Sequence, residues 1–385
     1  MKIVADENIP FVRECFSSIG EVELLPGREI TAERLRDAHV LLVRSVTPVN
    51  AELLEQTRVR FVATATIGFD HVDTDYLRAN GIGFASAPGA NSNSAAEYVI
   101  AGILEVAQKY RIKLEGKSIG VIGAGNVGSK VAKKCAALGM EVRLNDPPLA
   151  RQTADEKYLP IEALLDCDFI TLHTPLTYEG RDKTHHLADD TFFKALRPGC
   201  VFINSSRGAV VDSEALKSAI RSARLGAVVL DVWENEPDID TELLKMVDIG
   251  TPHIAGYSLD GKVAGMIMTY EATCQYFGLE AHYRPEDFLP QPQVPELRVE
   301  PGTAPEQEVL IGLVQRIYDI RRDDVRLRRI RECKAGQAGQ YFDNLRKEYP
   351  VRREFHNTKV VLERPSPALA RQVEGIGFRL AVEGA

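Results

Sequence analysis

Short apolar runs alternate with amphipathic segments over most of the chain. Runs of four or five apolar residues, many of them β-branched, are typical of strands buried on both faces of a parallel sheet. Such runs predict strands at residues 2–5, 21–25, 40–43, 61–65, 118–122, 140–144, 168–173, 200–204, 227–230 and 247–251. The intervening segments predict helices at residues 10–19, 32–37, 91–109, 129–138, 161–165, 191–196, 213–222 and 259–277. Alternation of this kind indicates an α/β fold.

The order of these elements predicts the domain organisation. The helix expected at residues 91–109 is long enough to connect two α/β units, and the helix at 259–277 is expected to return to the first. We therefore expect two doubly wound parallel-sheet domains. The expected boundaries are residues 1–95 with 257–285 for the first domain and residues 96–256 for the second.

The last hundred residues have a different pattern. A proline-rich stretch at residues 285–305 is typical of a linker. Helices expected at residues 307–320 and 341–349 and short strands at 359–362 and 378–382 follow it. We expect residues 286–385 to form a small α+β domain, and we hypothesise that it dimerises.

The stretch at residues 117–146 combines a strand, a glycine turn, a helix, a second strand and an acid. Gly123 permits the tight turn, Gly125 lets a pyrophosphate approach the backbone, and Gly128 allows the helix to pack closely on the strand. The start of the helix offers N–H groups to phosphates. Asp146 follows Gly128 by 18 residues, where a carboxylate binds ribose hydroxyls and repels a 2′-phosphate. This unit predicts a site for NAD rather than NADP.

Composition narrows the class of protein further. The chain has 385 residues, of which 44% are hydrophobic and 26% charged, as in ordinary soluble proteins with two or three domains. The first residues contain too short an apolar run for a signal peptide, and no stretch is long enough for a membrane span. Six scattered cysteines are typical of reduced thiols, and a net charge of −8 argues against nucleic acid. We therefore expect a cytoplasmic protein without a membrane or nucleic-acid partner.

Several polar segments follow predicted strands at the edge where ligands bind in open α/β sheets. In the first domain these are the Arg44-Ser45 and Thr66 loops, which either hold a substrate or simply cap the next helices. In the second domain Arg207, Glu236 and His253 stand in three successive loops. Three ionisable side chains at one sheet edge are candidates for catalysis.

Four motifs in this order resemble those of the D-isomer-specific 2-hydroxyacid dehydrogenases. They are GAGNVG at residues 123–128, NSSRG at 204–208, DVWENEP at 231–237 and TPHIAG at 251–256. The resemblance extends over about residues 1–280 and implies a flavodoxin-like substrate domain followed by a Rossmann NAD domain. It also implies NAD-dependent oxidation of a D-2-hydroxyacid. The substrate loops and the long C-terminal extension are typical of a member that acts on a small phosphorylated hydroxyacid.

The chemistry of the three ionisable residues is consistent with this resemblance. His253 can accept the hydroxyl proton while hydride leaves the carbon. Glu236 can bind the other ring nitrogen and stabilise the imidazolium. Arg207 presents a planar fork to the substrate carboxylate and the C2 oxygen. We therefore expect these three residues to be catalytic.

The resemblance also implies the binding residues. Expected NAD contacts are Gly123, Gly125, Asn126, Val127, Gly128, Asp146, Thr174, Ser205, Ser206, Arg207, Asp231 and Gly256. Expected substrate contacts are Ser45, Thr66 and Tyr257, with Arg44 as the local candidate for a substrate phosphate. Other cationic candidates are the arginine-rich run at residues 321–331, otherwise a solvated helix face, and Arg346, which could serve a partner subunit's site.

Some alternatives stay open at this point. The substrate could be 3-phosphoglycerate, or glycerate and hydroxypyruvate, because only the substrate loops and the C-terminal domain separate such family members. A non-catalytic NAD-sensing scaffold is the alternative from another class, although the Arg207, Glu236 and His253 set argues against it. His173 is expected to be structural. His185 and His186 have no recognisable partner motif, and we expect no metal site.

Overall fold

The computed structural model describes residues 1–383, which divide into two compact units. The first unit comprises Met1–Asn91 and Ser258–Gln291. The second comprises Ser92–Tyr257 and the described residues from Pro292 onward. The C-terminal segment, residues 292–383, therefore shares one compact unit with the glycine turn and with the loops that carry Arg207, Glu236 and His253.

The described residues contain fourteen strands, numbered here in chain order. They are β1 (Lys2–Asp6), β2 (Glu21–Leu25), β3 (Val40–Val43), β4 (Phe61–Thr64), β5 (Gly83–Ala85), β6 (Ser118–Ile122), β7 (Glu141–Asn145), β8 (Phe169–Leu172), β9 (Cys200–Asn204), β10 (Leu225–Leu230), β11 (Ile249–Gly250), β12 (Glu296–Val299), β13 (Lys359–Glu363) and β14 (Arg379–Glu383).

Fifteen α-helices lie between these strands in the described part of the chain. They are α1 (Val12–Phe16), α2 (Ala32–Leu35), α3 (Ala51–Leu54), α4 (Thr74–Ala79), α5 (Ser92–Tyr110), α6 (Asn126–Ala137), α7 (Pro147–Thr153), α8 (Asp190–Ala195), α9 (Ser213–Arg221), α10 (Thr241–Met246), α11 (Leu259–Phe277), α12 (Glu306–Ile317), α13 (Ile320–Arg328), α14 (Ala338–Lys347) and α15 (Pro367–Gly375). Short 3₁₀ helices occupy Gly27–Glu29, Ile161–Leu164, Gly208–Val210, Pro285–Asp287, Arg329–Glu332 and Phe355–Asn357.

The first unit is built on a five-stranded parallel sheet in the order β2-β1-β3-β4-β5. All four residues of β3 are buried, because helices cover both faces of the sheet. The long helix α11 packs on β4 and on α1, where Tyr270 and Phe16 meet edge to face with ring centroids 5.4 Å apart. This is the strand order of flavodoxin-like folds, as the sequence predicts.

The second unit contains a six-stranded parallel sheet in the order β11-β10-β9-β8-β6-β7. The chain winds in one direction from β6 to β7 and in the other from β8 to β11, so the direction reverses between β6 and β8. Ligands of doubly wound sheets bind beyond the carboxyl ends of the strands at such a reversal. The candidate NAD residues follow these strand ends.

The C-terminal segment adds a three-stranded parallel sheet in the order β12-β13-β14. Its helices α12 and α15 pack on α5 and α6, respectively. The contact with α6 is close, since a Cβ atom on Gly375 would lie 2.2 Å from Cβ of Ala137. The segment therefore covers helices that belong to the nucleotide-binding fold.

The predicted fold class is confirmed, with differences in individual elements. Helix α6 begins at Asn126, directly after Gly125, rather than at residue 129. The proline-rich stretch was expected to be a linker only, yet it contains β12, which pairs with β13. The separate C-terminal domain stays a prediction.

A buried polar cluster joins the C-terminal segment to α5 and α6. Asn93 Nδ2 donates to Glu97 Oε1 at 3.0 Å and to Glu354 Oε2 at 2.7 Å. Glu97 Oε1 also accepts from the Phe355 backbone N–H at 2.9 Å. Lys134 Nζ donates to the carbonyl oxygen of Ile376 at 2.6 Å. Burial, with the nearby charge of Glu354, raises the pKa of Glu97 to about 8.

This raised pKa predicts a pH-dependent stability. Glu97 ionises in the unfolded chain near pH 4.3 but stays protonated in the folded state up to about pH 8, so its contribution to stability falls as pH rises between these values. In Glu97→Gln, we expect the free energy of unfolding to fall less between pH 5 and pH 8 than in the wild type. Urea unfolding at both values measures this, with the exposed Glu308→Gln as control. An equal pH dependence of the free energy of unfolding in all three proteins would contradict the raised pKa of Glu97.

Candidate active site

The glycine turn after β6 has the shape expected for a dinucleotide site. Gly123 has a φ of +89°, and a Cβ atom there would lie 2.7 Å from the His173 backbone. A Cβ atom on Gly128 would lie 1.9 Å from the carbonyl oxygen of Gly123. At Gly125, by contrast, a Cβ atom would meet nothing within 4 Å. Two glycines are therefore required by packing, while Gly125 borders open space.

The residues around this turn fit NAD. Asp146 Oδ2 accepts from the Ala124 N–H at 2.9 Å and Oδ1 from the Leu149 N–H at 3.0 Å, so the carboxylate is held at the end of β7. Thr174 Oγ1 and Ser205 Oγ are buried without a hydrogen-bond partner among the described residues. Buried hydroxyl groups that lack a hydrogen-bond partner are suited to bind a polar ligand, and these two lie at the ends of β8 and β9.

His253 and Glu236 form a direct pair. His253 Nδ1 lies 2.7 Å from Glu236 Oε2, and Glu236 Oε1 accepts from the Trp233 N–H at 2.9 Å. Burial alone would raise the pKa of Glu236, but the charge and hydrogen bond of His253 hold it below its usual range. The carboxylate is therefore ionised and fixes the orientation of the imidazole, leaving Nε2 as the nitrogen that can exchange a proton.

Asp231 holds the loop that carries His253. Its Oδ1 accepts from Thr251 Oγ1 at 2.6 Å and from the Ile254 N–H at 2.8 Å, and its Oδ2 accepts from the Ala255 N–H at 2.9 Å. Asp231 is buried, and this burial raises its pKa. His253 itself has a φ of +56°, an uncommon value for a residue other than glycine. The bonds to Asp231 stabilise this tight turn.

Arg207 lies in a loop that is held by hydrogen bonds to Asn204 and by the packing of Gly208. Asn204 Oδ1 accepts from the N–H of Ser206 at 3.0 Å, and Asn204 Nδ2 donates to the carbonyl of Arg207 at 3.0 Å. Gly208 packs on the next loop, where a Cβ atom would lie 1.9 Å from the carbonyl oxygen of Trp233. The loops of Arg207 and Glu236 are therefore neighbours at one edge of the sheet.

Tyr257 is half-buried and contacts the C-terminal segment. The Tyr349 ring meets it edge on, with centroids 5.9 Å apart, and Arg346 Cζ lies 5.8 Å from the Tyr257 centroid. Arg352 Nη2 donates to the carbonyls of Ser94 and Ala255 at 3.0 and 2.6 Å. The sequence suggests Arg346 for a partner's site, but the structure places it beside residues of its own chain.

The first unit carries the other expected substrate residues. Ser45 is exposed and Arg44 half-buried at the end of β3. Thr66, after β4, shares a hydrogen bond of 2.6 Å with Thr64 and donates to the carbonyl of Gly68 at 2.8 Å. These positions are the strand ends that the sequence predicts. Their roles in substrate binding stay predictions.

Two further histidines, His173 and His186, lie near strand ends and loops of the second unit. His173 is half-buried, and desolvation lowers its pKa to about 3, so it is neutral. His186 has no partner motif in the sequence, yet its Nε2 lies 2.7 Å from Glu234 Oε1. Glu234 Oε2 also accepts from the N–H of Ser213 at 2.9 Å. Within residues 1–383, no group of three or more histidine, cysteine, aspartate or glutamate side chains could hold a metal ion.

Most arginines of the run at residues 321–331 are exposed, as expected for a solvated face, but Arg328 is half-buried. Arg328 bonds Asp324 at 2.8 Å and donates to the carbonyls of Leu244 and Val247 at 2.8 and 2.9 Å. It therefore joins α13 to the end of α10. None of the helices in the described part of the chain is long and apolar enough to cross a membrane.

Comparison with protein families agrees with this geometry. The NAD binding domain of the D-isomer specific 2-hydroxyacid dehydrogenases matches residues 90–255. A domain of unknown function matches residues 288–377. The first match contains the glycine turn and the Arg207, Glu236 and His253 loops. The second coincides with most of the C-terminal segment.

Individual relatives extend the similarity to nearly the whole chain. An erythronate-4-phosphate dehydrogenase of Chromohalobacter salexigens is 45% identical over 99% of both chains. One of Tolumonas auensis is 46% identical over 99% of this chain and 100% of its own. A D-lactate dehydrogenase structure from Aquifex aeolicus, complexed with NAD and lactic acid, is 26% identical, covers 72% of this chain and 96% of its own, and has a TM-score of 0.61.

The chain therefore belongs to the D-isomer-specific 2-hydroxyacid dehydrogenase family. It is an NAD-dependent oxidoreductase of that family. The relatives that match it from end to end are named erythronate-4-phosphate dehydrogenases. The match to the D-lactate dehydrogenase structure leaves 28% of this chain uncovered.

The contrast between two glycines gives a test of the nucleotide site. In Gly125→Ala we expect NAD affinity to fall about tenfold or more with little change in melting temperature, because the added methyl group meets no protein atom but faces the ligand. In Gly128→Ala we expect a loss of stability, because the methyl group meets a carbonyl oxygen.

Calorimetric titration with NAD and thermal unfolding measure the two effects separately. The wild type and the exposed Lys130→Ala variant on the same helix serve as references. Unchanged NAD affinity in Gly125→Ala would place the pyrophosphate elsewhere.

Proposed function

We propose that this protein catalyses the NAD-dependent oxidation of 4-phospho-D-erythronate to 2-oxo-3-hydroxy-4-phosphobutanoate, a step in the formation of pyridoxal phosphate. The His253–Glu236 contact of 2.7 Å carries the assignment to proton-coupled dehydrogenation. The full-length similarity to erythronate-4-phosphate dehydrogenases supports the particular substrate.

The proposed chemistry begins at His253. Its Nε2 accepts the proton of the C2 hydroxyl while the hydride leaves C2, so the C–O bond becomes a carbonyl and the imidazole becomes an imidazolium. NAD, when bound, takes up the hydride. Glu236 stays ionised and stabilises the positive charge that forms on His253. This electrostatic stabilisation is strongest in a site that contains little water. In the reverse direction His253 donates the proton.

Arg207 has a positioning and polarising role in this proposal. Its planar fork binds the substrate carboxylate and the C2 oxygen, which aligns the C2–H bond for transfer. The loop that carries it is fixed by Asn204 and by packing of Gly208 on Trp233. A fixed loop supports this role because transfer requires accurate alignment.

The proposed binding residues are those that the family resemblance implies. The glycine turn, the start of α6 and Asp146 hold the adenosine diphosphate part of NAD. The loops after β8 to β11 hold its nicotinamide end, through Thr174, Ser205, Ser206, Arg207, Asp231 and Gly256. Ser45, Thr66, Tyr257 and Arg44 contact the substrate.

We propose in addition that the protein acts in the cytoplasm and as a homodimer formed through the C-terminal segment. Six free cysteines, five of them buried, support a reducing compartment. Light scattering coupled to size-exclusion chromatography, on the full chain, tests the dimer, and a mass near 42.6 kDa would contradict it.

A substrate panel tests the proposed function directly. Formation of NADH is followed with 4-phospho-D-erythronate, 3-phosphoglycerate, D-glycerate and D-lactate, in the presence of a 2-oxoacid acceptor that can reoxidise tightly held cofactor. We expect the highest kcat/KM with 4-phospho-D-erythronate. Preference for 3-phosphoglycerate or for an unphosphorylated acid would retain the chemistry but overturn the substrate. Binding of NAD without turnover would favour a sensing scaffold.

Glu236→Gln tests the proposed pair. Glutamine keeps the hydrogen-bond reach of the side chain but cannot stabilise the imidazolium by charge, so we expect kcat to fall about 10² to 10⁴-fold. NAD affinity should stay within about twofold of the wild type, since Glu236 is not expected to touch the cofactor. The exposed Glu242→Gln is the matched control. A kcat within a few-fold of the wild type would remove Glu236 from the mechanism.

A further inference from the structure

Arg346 is a half-buried cation near the end of α14. Its side chain is 19% exposed, and its Nε is buried without a hydrogen-bond partner among residues 1–383. Its ion pair with Asp343 is long, with Nη1 and Oδ1 3.9 Å apart. Burial would lower the pKa of Arg346, but Tyr257 and the charge of Glu236 raise it, so the side chain is charged. The unpartnered Nε makes this arginine a candidate for binding an anionic ligand.

The surroundings of Arg346 belong to the candidate active site. Its Cζ lies 5.8 Å from the centre of the Tyr257 ring, and Tyr257 follows His253 by four residues. The positive charge of Arg346 also helps to lower the pKa of Glu236 against the effect of burial, after the larger contributions of His253 and the Trp233 N–H. Arg346 is therefore close enough to act electrostatically on the group that orients His253.

A substrate with two anionic groups needs a cationic contact for each. Arg207 is assigned to the carboxylate next to C2, so the phosphate at the other end of the molecule requires a further cation, for which Arg44 of the first unit and Arg346 are the candidates. An arginine fork matches the geometry of phosphate oxygens and forms short charge-assisted hydrogen bonds. Tyr349, on the same segment, packs against Tyr257 and helps to fix this region.

We propose that Arg346 is a specificity-determining residue that binds the substrate phosphate, so that the C-terminal segment selects phosphorylated hydroxyacids for the site of its own chain. This inference rests on the proposed function and deepens it. It explains why the segment packs on the second unit, where the catalytic loops lie.

The test compares two substrates that differ only in the phosphate. In Arg346→Gln we expect kcat/KM for 4-phospho-D-erythronate to fall roughly 100-fold, mainly through KM, because a charge-assisted contact to phosphate is lost. For unphosphorylated D-erythronate, kcat/KM should change less than about threefold. Arg346→Lys should give a smaller loss than glutamine on the phosphorylated substrate alone, because a point charge remains. Arg322→Gln, on the exposed face of α13, is the matched control.

The outcomes separate this inference from the proposed function. If the wild type does not prefer the phosphorylated acid, the proposed substrate fails and the inference fails with it. If the wild type has that preference and Arg346→Gln retains it, only the inference is overturned. An equal fall of kcat for both substrates, with a shifted pH profile of kcat, would show instead that Arg346 acts through Glu236.

Folding is checked independently of activity. NAD affinity and melting temperature are measured for every variant, and both should match the wild type in Arg346→Lys. If Arg346→Gln does not fold, Arg346→Met takes its place, because methionine keeps the apolar part of the side chain and removes the charge. An unchanged ratio of the two substrates in Arg346→Met would overturn the inference.

Discussion

The carboxylate of Asp231 is the constraint on which the arrangement of the site depends. Buried carboxylates must be satisfied by hydrogen bonds, and this one takes them from Thr251, Ile254 and Ala255. Those bonds hold His253 at a positive φ, in the position where Glu236 can bind its Nδ1. Loss of these bonds would release the loop. The orientation of the imidazole therefore derives from an acid that does not contact it through its side chain.

The same loop is supported from the C-terminal segment. Thr251 shares a hydrogen bond of 2.8 Å with Tyr98 on α5, and Arg352 donates to the carbonyl of Ala255 at 2.6 Å. Arg352 also stacks on Tyr318, with Cζ 4.3 Å from the ring centroid. The segment matched by a domain of unknown function is therefore part of the packing behind the catalytic loop.

The sequence predicts the buried framework well and the peripheral elements poorly. The bounds of β3, β6, β9 and α11 agree with prediction because continuous apolar runs and flanking glycines mark them. Helices α4 and α15 were missed, since their caps, Asp73 and Ser366, are equally typical of turns. In the site, Glu236 and His253 were found through family motifs. The contacts of His186 with Glu234 and of Arg352 with Ala255 join residues 48 and 97 positions apart, which no local pattern reveals.

The buried cluster around Glu97 has a consequence for protein engineering. Asn93, Glu97 and Lys134 on the nucleotide fold complete the hydrogen bonding of Glu354, Phe355 and Ile376 on the C-terminal segment. A chimaera that grafts this segment onto another dehydrogenase core would bury Glu354 without its amide donor. Transfer of the segment therefore requires transfer of its docking residues on α5 and α6.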